Sequence, residues 1–82
     1  MIVNGYAVWD KVALAFLPLF FLRSDGEAIR SFMDACKDEK HQFFAHRDDY
    51  VLYHVCSYDD NTGKVEQMDE CPKRLISGAG IS

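Results

Sequence analysis

Three cysteines and three histidines carry the most reactive chemistry in this chain: Cys36, Cys56, Cys71, His41, His46 and His54. Zinc takes thiolate and imidazole ligands. Cys36, His41 and His46, with His54 or Cys56 added, are the set to weigh. Their spacing is against it. They run across an expected helix end and loop, with no CxxC pair and no two histidines one helical turn apart. His54 and Cys56 stand two apart, so on a regular strand they share a face, as a thiol–imidazole pair would need. Both sit among apolar residues, however, and buried structural thiols are inert. Asp59-Asp60-Asn61 has the residue types of a calcium loop. The pattern breaks at Gly63 and lacks the closing glutamate. The same residues are those of a tight polar turn. Gly78-Ala79-Gly80 is no phosphate loop, because no helix follows it. The residues therefore lead to no catalytic group, no metal and no cofactor, and an enzyme is not expected.

Binding is the other chemistry on offer. Tyr6, Trp9, Tyr53 and Tyr58 could line a sheet face and stack on the bases of single-stranded DNA, with Lys11, Arg30 and Arg47 as candidate cations. The same residues would serve as contacts for a protein. The formal net charge of −4 opposes binding to nucleic acid by bulk electrostatics. The largest basic cluster is only Lys73-Arg74. An acidic domain meets proteins more readily than DNA.

A chain of 82 residues is one domain with a thin core. Self-association is one way such a domain gains core, though the composition does not require it. The three cysteines match no disulfide framework and read as reduced thiols, Cys36 and Cys56 as small buried hydrophobes.

Residues 49–69 organise the rest. Tyr50–Tyr58 is dense in aromatic and β-branched residues, apolar on both faces, and reads as an interior strand. On strict alternation Val51, Tyr53 and Val55 point one way, and Tyr50, Leu52, Cys56 and Tyr58 the other. Residues 59–63 form the turn, with Gly63 at positive φ. Residues 64–69 return as a charged edge strand. Residues 2–9 form a first strand, with Tyr6 and Val8 on one face and Ala7 and Trp9 on the other.

Residues 12–22 are the most apolar run, but 11 residues are too few to span a membrane. A helical turn is expected at 11–16 and a strand at about 18–23. Any exposed part of this run would be an interface for a partner or a second copy. Ser24-Asp25-Gly26-Glu27 fits a capping box opening a helix over 25–38, with Ala28, Ile29, Phe32, Met33 and Cys36 as its apolar stripe. Residues 38–49 form a polar connection in which Phe43 or Phe44 plugs the core. The ordered core is expected over 2–72, with the tail 73–82 extended or frayed. The expected fold is α+β: a small, mostly antiparallel four-stranded sheet with one helix packed on one face.

The order of the motifs adds a resemblance. Trp9-Asp10, then Phe16-Leu17-Pro18 and Phe20-Phe21, precede Asp25-Gly26-Glu27-Ala28-Ile29-Arg30-Ser31-Phe32. His41-x-Phe43, His46-x-x-Asp49-Tyr50 and Asp59-Asp60-Asn61-Thr62-Gly63 follow. Over residues 6–72 this resembles the small nonstructural protein of gokushoviruses, a microvirus group of single-stranded-DNA bacteriophages. It departs from that pattern at Arg47, where the family usually has proline, and at Cys56, where a small residue is usual. The resemblance implies a counterpart of the microvirus C protein, acting on the replication complex at the switch to single-strand synthesis and packaging. It implies a viral replication initiator or host replication proteins as partners, with single-stranded DNA as a further one. It also implies a place in the host bacterial cytoplasm and not in the mature virion. It supplies no catalytic residues.

Overall fold

The computed structural model describes residues 1–67 and 70–81. Two long strands, β1 (Ile2–Asp10) and β4 (Tyr50–Asp59), pair antiparallel along their whole length and form the centre of one sheet. Four short strands complete it. β2 (Ala15–Phe16) and β3 (Phe20–Leu22) pair one after the other with the outer edge of β1. β5 (Lys64–Gln67) and β6 (Lys73–Ser77) do the same along β4. All the pairings are antiparallel. The expectation of a four-stranded sheet is therefore wrong: six strands lie in one sheet.

The two missed strands have physical reasons. Residues 11–14 turn tightly, with Leu14 N donating to the Asp10 carbonyl and the Asp10 carboxylate accepting from Val12 N. That releases Ala15–Phe16 to pair with β1, where a helical turn was expected. The tail is extended but not frayed. Lys73–Ser77 pairs with Val51–His54, and Ile81 is buried in the core. The end of the expected returning strand, Met68 and Asp69, lies outside the described residues.

Helix α1 (Asp25–Lys37) forms as its capping signal predicts, with Ser24 Oγ accepting from Glu27 N at 3.3 Å. It lays Ala28, Phe32 and Cys36 on one face of the sheet, against Tyr6, Val8, Tyr50 and Leu52. The connection after it holds a second short helix, α2 (Gln42–Ala45), and a 3-10 turn at Arg47–Asp49. Phe43 closes the core, its ring 4.4 Å from Tyr50 and 5.7 Å from Phe32. The polar turn is as expected. Gly63 has φ 77°, Asn61 N donates to the Asp59 carboxylate, and the amino terminus reaches Asp60 at 2.7 Å. Among the described residues no helix is long and apolar enough to cross a membrane.

Candidate binding face

Register assigns every strand residue to a face. Tyr6 opposes His54, Val8 opposes Leu52 and Asp10 opposes Tyr50; this is the face that α1 covers. Val3 opposes Tyr58, Gly5 opposes Cys56, Ala7 opposes Tyr53 and Trp9 opposes Val51 on the other face. The pairing jumps from Gly5–Cys56 to Tyr6–His54, so Val55 is a bulge. One extra residue reverses the alternation beyond it. Cys56 and Tyr58 therefore join Tyr53 and not Leu52, which corrects the strict-alternation reading.

The consequence is an aromatic face without a helix on it. Trp9, Phe16 and Tyr53 are in contact, with ring centroids 4.9 and 5.4 Å apart in that order. Phe21 and Tyr58 form a second pair at 5.6 Å. Phe16 and Phe21 are 43% and 44% exposed, while Trp9, Tyr53 and Tyr58 are half-buried. Val65, opposite Tyr58, extends the apolar surface onto β5. Among the described residues, the paired positions of this face hold one charged residue, Arg74, directly opposite Tyr53, and no Asp or Glu. Asp10, Asp59 and Glu66 all fall on the other face.

The residues singled out from sequence divide accordingly. Trp9, Tyr53 and Tyr58 share the open face. Tyr6 is fully buried on the opposite one, where its ring stacks 4.9 Å from His54 and its hydroxyl donates to Asp25 at 2.8 Å. Burial and that carboxylate push the Tyr6 phenol well above its ordinary range. Lys11 follows β1 in the turn, its amide donating to the Asp49 carbonyl. Arg30 lies on α1, and Arg47 stacks over Phe44 at 5.4 Å in the connection after it. None of these three cations is at a paired position of the open face. Sequence reasoning missed Phe16, Phe21 and Arg74. The alternation of β3 and β6 could have found Phe21 and Arg74, had β6 been recognised as a strand.

The thiol and imidazole groups are dispersed. The bulge puts His54 under the helix and Cys56 on the open face, so they form no nucleophile–base pair. His54 is held by Asp25 Oδ1 at 3.4 Å from Nδ1 and by the Cys56 carbonyl at 3.1 Å from Nε2. Cys36 and Cys56 are buried, and burial pushes both thiols up. Cys71 Sγ lies 2.7 Å from the Val55 carbonyl oxygen. His41 Nδ1 accepts from Phe43 N and caps α2. Among the described residues no group of three or more His, Cys, Asp or Glu is placed to hold a metal.

The fold and this face together define a small antiparallel-sheet domain with one helix-backed side and one aromatic side that no described helix covers. The chain belongs to the Phage ORF5 protein family, whose profile matches residues 3–81, and it is a bacteriophage protein. No curated protein and no solved structure matches it.

Proposed function

We propose that this phage protein is a non-enzymatic regulator of viral DNA synthesis that docks its open sheet face on a replication protein. Its place is the switch to single-stranded genome production and packaging, as the counterpart of the microvirus C protein in a gokushovirus-type phage. The partner is the viral replication initiator or a host replication protein, met in the host cytoplasm. The observation that supports this is the aromatic cluster of Trp9, Phe16 and Tyr53 on a face whose described paired positions hold no carboxylate. Interface centres are rich in aromatic residues and Arg and poor in carboxylates. The test is a phage lacking this gene. The expected result is a loss of packaged single-stranded genome with double-stranded replication continuing; normal packaged yields would refute the reading.

One observation favours a second reading, direct binding of single-stranded DNA. Bases stack on exposed rings beside cations, and Arg74 stands opposite Tyr53 with no carboxylate at a described paired position of its face. Net charge of the whole chain therefore understates what this face could hold. Titration of labelled single-stranded DNA across a salt series separates the two. Affinity that falls steeply with salt and drops on Arg74→Ala supports DNA contact. No binding at low salt removes it and leaves the docking reading.

A further inference from the structure

The two edges of the sheet are guarded unequally. On the β4 side, β5 and β6 carry Lys64, Glu66, Lys73 and Arg74, the charges that keep an edge from pairing with another chain. On the β1 side, residues 12–22 contain no charged residue. The outer edges of β2 and β3 pair with no described strand. Pro18 blunts the link between those strands but lies in neither, leaving Phe20–Leu22 open. Eight large hydrophobic residues are exposed among those described, and five of them fall in this one run: Val12, Leu14, Phe16, Leu19 and Phe21.

We propose that this edge is the interface with a second copy of the chain, β3 pairing antiparallel with β3 of the partner across a two-fold axis. Two features of this edge fit a second copy. An antiparallel edge is self-complementary under a two-fold, so the same surface serves both sides. Homodimer interfaces are more apolar than transient ones, and this run brings no charge that would need a complementary one. The isolated chain is also less compact than its length requires. Its radius of gyration is 12.9 Å, against about 11.7 Å for a compact domain of this size.

The pairing has a geometric consequence. A two-fold perpendicular to the sheet keeps both helices on one side. The two aromatic faces then join into one continuous surface of twice the width. The dimer stands or falls separately from what that surface binds, because it is measured on the purified chain alone.

The test is sedimentation equilibrium of the full chain at concentrations on the order of 100 µM, with circular dichroism to verify folding. The expected mass is twice the 9.4 kDa of one chain. Phe21→Lys and Leu19→Glu should each return it to one chain mass. Leu19 lies in the link between strands, so its variant keeps the test valid where Phe21→Lys fails to fold. Val65→Lys, at a more exposed apolar position on the opposite edge, should leave the mass doubled. A monomer for the unsubstituted chain overturns the proposal, as does a dimer that survives both substitutions in folded protein.

Discussion

Gly5 shows how a single side chain governs the open face. A Cβ built on it would stand 2.6 Å from Cys56 Sγ and 2.9 Å from the Phe21 ring. Gly5→Ala should therefore cost about 1–3 kcal/mol, the usual cost of overpacking. Combining it with Cys56→Ala should recover part of that loss, a coupling that chemical denaturation of the four proteins would read directly. On the helix side, the Tyr6 hydroxyl donates a 2.8 Å hydrogen bond to the Asp25 carboxylate. Tyr6→Phe should cost about 1 kcal/mol, the net value of one such bond. The same site fixes an alkaline limit. Burial and Asp25 raise the folded-state phenol above its ordinary value, and burial raises the Cys36 and Cys56 thiols. Groups whose neutral form is favoured by folding stabilise fully below their unfolded pKa. They lose that contribution as pH rises through it, from about 8.5 for the thiols and about 10 for the phenol. The denaturation midpoint should thus fall above about pH 8.5, and Tyr6→Phe should flatten the part of the fall above about pH 10. A midpoint constant through pH 11 would contradict this.

Elements differ in how openly the residues announced them. The helix was legible because Ser24, Glu27 and the Ala28–Phe32–Cys36 stripe all name the same segment, and local and tertiary preferences agree there. The central strands were legible for the same reason, as was the turn ending at Gly63. The bulge at Val55 was not, since nothing in a run of apolar residues marks where an extra one is inserted. That single irregularity decides whether Cys56 and Tyr58 face the helix or the open side, and so decides most of the candidate site. β2 was obscured by uniform apolarity over 12–22, which carries neither helical nor strand periodicity, while β3 falls within the strand expected at about 18–23. β6 was obscured by its length and its flanking glycines; it is fixed by pairing with β4 and not by its own pattern. The turn into β2 keeps a visible irregularity: Leu14 has φ 56°, a conformation that costs a side-chain-bearing residue about 1–2 kcal/mol. Leu14 is also exposed, so Leu14→Gly should stabilise the fold by up to about 1 kcal/mol, measurable as a raised thermal midpoint. Where Leu14 also contributes to the contact between copies, the same change should weaken the dimer.

Across the whole molecule, the distribution of charge matters more than its sum. A net charge of −4 pointed away from nucleic acid, yet among the described residues the paired positions of the open face hold Arg74 and no carboxylate. Among the described residues most of the acids lie around the helix, the connection after it and the polar turn, so the two sides of a slab measuring 39 × 22 × 17 Å present different chemistry. A thin core on one side and an apolar ring system on the other is an arrangement completed by a partner on that face. In the proposed role this face does the work of the protein in the phage. That role is tested most directly by complementing a gene-deleted phage with Arg74→Glu and with Tyr53→Ala, each first verified as folded, and measuring packaged single-stranded genome. Packaged genome should fall on the order of tenfold for each variant, as loss of a contact at an interface centre does, while Arg30→Glu on the outer side of the helix keeps the normal yield. Normal packaging with both open-face variants would contradict the account.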